Sequence, residues 1–177
     1  MKWRFIAALL TVSLLLVSCG AAPYRCADPL GCLEISPGSP IIIGAILPIY
    51  GSQGETGLQD LDALKAAIAE TGPILGHAFE LNWEGTDCSE ENAALAATRL
   101  ALISGLLAVI GSTCAADVST AAPILADAGL PLIIPSTSTT QAFQQLVRAI
   151  EQTAIEQSDD MLILPRTTLQ QTLSARP

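Results

Sequence analysis

Between Ile41 and Ile134 the chain alternates short apolar runs with longer stretches in which apolar residues recur every three or four positions. The first run, Ile41-Ile42-Ile43-Gly44-Ala45-Ile46-Leu47, is rich in β-branched residues and carries no charge, the pattern of a strand covered on both faces. A loop from Pro48 to Gly57 follows, carrying Gly51, Gly54 and Gly57. Leu61, Leu64, Ala67 and Ile68 then share one face of a helix expected from about Leu58 to Glu70, with Asp60, Asp62 and Lys65 largely opposite and Gly72-Pro73 as its stop. Phe79, Leu81 and Trp83 alternate with Glu80, Asn82 and Glu84, which predicts a second strand covered on one face only. Ser89 reads as the cap of a helix reaching about Ser104, supported by Asn92 three positions on and by Glu90 and Glu91 at the positive end of its dipole. Leu106 to Ile110 is a third strand, an alanine-rich helix runs to about Ala128, and Leu130 to Ile134 is a fourth strand. Beyond Thr140 the rhythm changes to one helix over Ala142 to Gln157, an apolar run from Met161 to Pro165 and a short polar helix.

Strands alternating in this way with helices imply right-handed crossovers and an α/β fold: an open parallel sheet with helices on both faces. Ligands of such sheets sit at the carboxyl ends of the strands. Three strand-end segments carry small polar residues, namely Tyr50-Gly51-Ser52, Ser112-Thr113-Cys114-Ala115, and Ser136-Thr137-Ser138-Thr139-Thr140. Hydroxyls and unpaired N–H groups at helix starts suit a ligand carboxylate, although any α/β protein also uses such residues as ordinary caps.

The chain opens differently. Lys2 and Arg4 precede an apolar run from Phe5 to Val17 that is short for a membrane span, and Leu16-Val17-Ser18-Cys19-Gly20 resembles the lipobox of bacterial lipoproteins. Residues 1–18 are thus read as a signal peptide, Cys19 as the lipidated residue, and 19–40, rich in Gly, Ala, Pro and Ser, as a tether without strand or helix period. Export and anchoring at the membrane face follow. Loss of Lys2 and Arg4 with the leader moves the formal net charge from −9 to −11, an acidic balance that argues against nucleic-acid partners. In an oxidising compartment Cys26, Cys32, Cys88 and Cys114 are expected to form two disulfides, with Cys26 and Cys32 closing a small loop.

Only 14% of residues are charged and 50% are apolar, so a real core is expected, and with 4% aromatics that core is aliphatic. Catalytic chemistry finds little support. The single histidine, His77, lies in a Gly-His-Ala turn and reads as a surface residue; Glu84 and Asp87 read as solvated turn residues. The spacing of Gly51, Gly54 and Gly57 fits neither a dinucleotide nor a phosphate loop, so no cofactor and no metal are expected.

Ile43-Gly44-Ala45-Ile46-Leu47-Pro48 with Gly51 and Gly57, Ile74-Leu75-Gly76, Ala108-Val109-Ile110-Gly111-Ser112, and Ala122-Pro123-Ile124-Leu125-Ala126 through Pro135-Ser136-Thr137-Ser138 together resemble the type I periplasmic binding proteins of the leucine/isoleucine/valine class, which deliver ligand to an ABC permease. The resemblance covers roughly residues 41 to 140, read as a first ligand-binding lobe. It implies a Cys88–Cys114 disulfide and ligand contacts at Cys114-Ala115-Ala116 and Ser136-Thr137-Ser138; with Tyr50, Ser52 and Ser112 from the strand ends, the expected site for a small molecule of amino-acid type is Tyr50, Ser52, Ser112, Ala115, Ala116, Ser136, Thr137 and Ser138. Ala115 stands where serine is common, and Thr56 where an aromatic side chain often reaches the ligand. Residues 141–177, with Arg148-Ala149-Ile150-Glu151 and Leu164-Pro165-Arg166, resemble the family's extreme C-terminal part, so most of a second lobe is read as missing at a junction near 138–145. The expected function is a truncated substrate-binding lipoprotein serving an ABC importer, not an enzyme; the alternative is a structural or sensory lipoprotein whose lobe no longer closes on ligand.

Overall fold

The computed structural model describes residues 25–156 and 161–174, so the signal peptide, Cys19 and the start of the tether lie outside the described residues. In chain order its elements are β1 (Cys32–Ile35), β2 (Ile41–Leu47), a single 3-10 turn (Gly51–Gln53), α1 (Gly54–Thr71), β3 (Phe79–Gly85), α2 (Glu90–Ala101), β4 (Leu106–Ile110), α3 (Ala115–Asp127), β5 (Leu132–Ile133), α4 (Thr139–Thr153), β6 (Ile155–Glu156), β7 (Leu162–Pro165) and α5 (Arg166–Ser174). The main sheet is parallel with strand order β3-β2-β4-β5.

The unbroken apolar run of β2 is explained by its position between β3 and β4 with helices on both faces. Ile41, Ile43, Ala45 and Leu47 point to a cluster that contains Leu61 and Leu64 of α1 and Ala142, Phe143, Leu146 and Ile150 of α4. Ile46 points the other way, to Ala96, Ala97 and Leu100 of α2 and Ala121 and Leu125 of α3. Gly44 lies on that second face, where a Cβ would stand 3.0 Å from a Val109 methyl and 3.4 Å from Leu100, so the missing side chain is what lets α2 approach. Edge strand β3 follows its predicted half-covered pattern only at the start: Phe79 and Leu81 are half-buried and Glu80 is exposed, but Trp83, expected on the covered face, is 40% exposed, with the Lys65 ammonium 5.6 Å from its ring centroid.

Several expectations need correction. The segment read as a featureless tether contributes β1, whose Leu33 and Ile35 are buried while Glu34 faces out. β1 pairs antiparallel with β7, Cys32 opposite Pro165, and with β6 they form a second, three-stranded sheet that the rhythm of βα units did not foretell. Asp28 fastens this arrangement by accepting hydrogen bonds from the Thr167 amide (3.0 Å) and hydroxyl (2.7 Å), so a residue far away in sequence caps α5. Desolvation opposes ionisation of Asp28, but the Thr167 and Leu30 hydrogen bonds outweigh it and hold the carboxyl below its usual range.

Helix α1 begins at Gly54 rather than near Leu58, because Gly54 and Gly57 are helical residues packed on the preceding loop: a Cβ on Gly54 would lie 2.9 Å from the Ile49 carbonyl oxygen. The Ser89 cap holds, accepting from the Asn92 amide at 3.3 Å, but α2 stops at Ala101, ahead of Gly105 at φ +79°. β5 is two residues long, and α4 spans Thr139 to Thr153, earlier at both ends than the sequence pattern implied. His77, read as a surface residue, is 2% exposed. Leu75 and Gly76, both at positive φ, turn the chain tightly so that Ile74 and His77 exchange backbone hydrogen bonds, and this tucks the imidazole against the Ser39 carbonyl, to which Nδ1 donates at 2.7 Å.

Candidate functional site

The carboxyl ends of β2, β4 and β5 lie side by side, because β4 pairs with both β2 and β5. Tyr50 and Ser52 follow β2, Ser112 follows β4, Ala115 and Ala116 open α3, and Ser136, Thr137 and Ser138 lead from β5 into α4. Tyr50 is anchored through its backbone, donating to the Thr86 carbonyl at 3.0 Å, while its side chain is 57% exposed; Ser52, Ala115, Ser136 and Thr137 are also exposed.

Not every hydroxyl on this edge is available. Ser112 is buried and its Oγ accepts from the Cys114 amide at 3.0 Å. Ser138 Oγ accepts from the Gln141 amide at 3.2 Å, as a helix cap does, and the Thr137 hydroxyl donates to the Gln141 side-chain carbonyl. What the edge leaves open is therefore the Tyr50 and Ser52 side chains together with the first-turn N–H groups of α3, whose cap residue Cys114 makes no side-chain hydrogen bond to them. Glu84 and Asp87, read as solvated turn residues, are tied into the surface: Glu84 pairs with Arg99 at 3.1 Å, and Asp87 accepts from Ser89 and Asn92, bonds that lower its carboxyl below the usual range.

Two groups on this edge escaped the sequence reading. Thr86 and Asp117 are both fully buried, and the Thr86 hydroxyl donates to Asp117 Oδ2 at 2.5 Å. Asp117 Oδ1 is buried without a hydrogen-bond partner among the described residues. Above them the Cys88–Cys114 disulfide, with a Cα separation of 5.8 Å, joins the loops after β3 and β4, strands that are not neighbours but flank β2. Cys26 and Cys32 are likewise bonded. An aspartate in the first turn of a helix looks from sequence like an exposed dipole partner, and only the fold places it beneath a disulfide.

Two cavities lie elsewhere. One of about 380 Å³, lined by Pro37, Gly38, Gly76, His77, Glu156 and Met161, sits at the amino ends of β2 and β3. The other, about 430 Å³, lies against Asp28, Ile155, Pro165 and Thr167. Neither touches the strand-end residues, and His77 is at the opposite end of the sheet from their serines, so no serine–histidine pair forms.

Asp60 lies beside the α4 start, its carbonyl accepting from the Thr139 hydroxyl at 3.2 Å while its Oδ2 is buried without a partner among the described residues. Burial raises its carboxyl above the usual aspartate range. A folded pKa above the unfolded one favours the folded state below the unfolded pKa, and that contribution is lost as pH rises through the folded value. Asp60→Asn is therefore expected to raise Tm at pH 7, with the gain over the parent vanishing below about pH 4; melting curves across pH check this, and a gain that persists in acid would place the effect elsewhere than in the carboxyl.

The fold and this edge define an α/β lobe of the sort that holds a small molecule at its strand ends. A sequence model described as periplasmic binding protein matches residues 40–159, and the chain belongs to that family. Among solved structures it is similar to the leucine binding protein LivK of Thermotoga maritima (24% identity, TM-score 0.51, covering 64% of this chain and 38% of that one). It is similar also to the branched-chain amino acid transporter substrate binding protein LivJ of Streptococcus pneumoniae, solved with isoleucine (26%, TM-score 0.51, covering 60% and 32%). An ABC transporter substrate-binding protein from Sphaerobacter thermophilus matches at 28% identity, TM-score 0.50, covering 54% and 26%. The chain thus spans about a third of the length of these structures. No curated protein matches it. The family is one of substrate-binding proteins rather than enzymes, and its members work outside the cytoplasm. No helix among the described residues is long and apolar enough to cross a membrane.

Proposed function

We propose that this chain is the first lobe of an exported, lipid-anchored binding protein that presents a small amino acid, of the branched-chain type or close to it, to an ABC permease, with most of the second lobe deleted between about residues 138 and 145. In this reading residues 1–18 are the signal peptide, Cys19 carries lipid, 41–140 hold the ligand and 141–177 are the family's tail. The observation that carries it is the gathering of Tyr50, Ser52, Ser112, Ala115, Ala116, Ser136, Thr137 and Ser138 along one sheet edge of a chain in this family. The Tyr50 ring and the first-turn N–H groups of α3 supply an apolar wall and an anion cradle for an amino-acid carboxylate.

A second reading, a non-transport lipoprotein without ligand closure, is favoured by the engagement of Ser112, Thr137 and Ser138 within the protein. Isothermal titration of the purified chain with the common L-amino acids separates the two. One lobe supplies only part of a closed site's contacts, so the first reading expects binding at a Kd of about 1 mM or weaker, lost in Tyr50→Ala. Absence of heat with every amino acid at high concentration overturns it in favour of the second.

A further inference from the structure

We propose that the Cys88–Cys114 disulfide, once reduced, becomes with Asp117 a binding site for a thiophilic divalent cation, Zn2+ in the first instance. Cys114 and Asp117 stand three positions apart at the start of α3, but Cys88 comes from the loop after β3, 26 residues earlier, so no local spacing marks the three as a cluster. In the fold the two sulfurs and an Asp117 carboxylate oxygen all lie within 4.8 Å of one another. Neighbouring ligands of a tetrahedral zinc, with Zn–S near 2.3 Å and Zn–O near 2.1 Å, stand roughly 3.5–4 Å apart, so small side-chain rotations complete the triangle.

The carboxylate supplies the second, independent indication. Asp117 is fully buried, yet only one of its oxygens is used: Oδ2 is held by the Thr86 hydroxyl at 2.5 Å, while Oδ1 has no hydrogen-bond partner among the described residues. A buried carboxylate oxygen left in this way is costly in a merely structural site and is what a cation would satisfy. Thr86 then takes the role that outer hydrogen bonds take in metal sites, fixing the orientation of the ligating carboxylate. Three protein donors, two soft and one hard, suit Zn2+ and leave its fourth position for water.

The chemistry balances with a dithiol as co-reactant. The dithiol gives two electrons and two protons to the Cys88–Cys114 bond and itself closes to a disulfide, leaving two cysteine thiols. Zn2+ then binds both sulfurs as thiolates and releases the two protons, so binding strengthens as pH rises.

The test uses the full chain with Cys19, Cys26 and Cys32 replaced by serine, so that Cys88 and Cys114 are the only cysteines left, reduced under argon with a phosphine and titrated with Co2+. The expected result is a thiolate-to-cobalt charge-transfer band that saturates at one metal per chain, is displaced by Zn2+ and is absent before reduction. Asp117→Asn weakens binding roughly tenfold or more and Cys88→Ser abolishes the band. Melting of the reduced, otherwise unaltered chain gives an independent readout: Zn2+ raises Tm, and does so less in Cys88→Ser. No band in the reduced chain, or an Asp117→Asn affinity equal to the parent's, overturns the proposal.

Discussion

Phe143→Ala is expected to cost about 3–5 kcal/mol of folding stability, the range for removing a fully buried aromatic ring. Phe143 is 0% exposed and meets Phe79 edge-on, with ring centroids 5.1 Å apart and planes at 76°. It belongs to α4, the helix read from sequence as the start of a tail, yet it packs with Ile41, Ile43 and Leu64 in the core of the lobe. Urea unfolding followed by circular dichroism checks this. A loss below about 1 kcal/mol would mean that α4 is a detachable appendage and that the lobe is sealed without it.

Replacing Cys88 and Cys114 together by serine is expected to remove about 3 kcal/mol and to lower Tm on the order of 10 °C. The bond closes a loop of sequence separation 26, whereas Cys26–Cys32 closes one of 6, so on loop-closure grounds the second pair should matter less. Parallel denaturation of the two double variants decides it. If the Cys26–Cys32 pair proves the more costly to remove, chain entropy is not what these bonds contribute, and support of β1 against β7 becomes the better account of the amino-terminal bond.

How far the sequence could be read follows from how local each signal is. β2 and β4 were legible because a strand buried on both faces needs an unbroken apolar run, and the α2 start was legible because Ser89 and Asn92 sit three residues apart. β1 carried a strand's alternation in Leu33-Glu34-Ile35, but four residues amid Gly, Pro and Ser give too short a period to separate from a linker, and its partner β7 is more than a hundred residues away. The glycines of the β2–α1 connection looked like loop residues because sequence does not distinguish a glycine needed for freedom from one needed for close approach. The strand-end serines were found at their positions, yet the engagement of Ser112 and Ser138 as caps, and the burial of Asp117 and Thr86 below the disulfide, depend on contacts between loops that no local pattern encodes.

The pairing of β1 with β7, and the cap that Asp28 places on α5, bear on how this polypeptide can be cut and rejoined. Segments near the two ends of the described chain already run side by side like the arms of a hairpin, so the fold is close to a closed circle in which the starting point is arbitrary. Fresh termini at the Leu102–Gly105 turn, where Leu102 is 78% exposed, would interrupt none of the strand pairings, making the lobe a natural substrate for circular permutation.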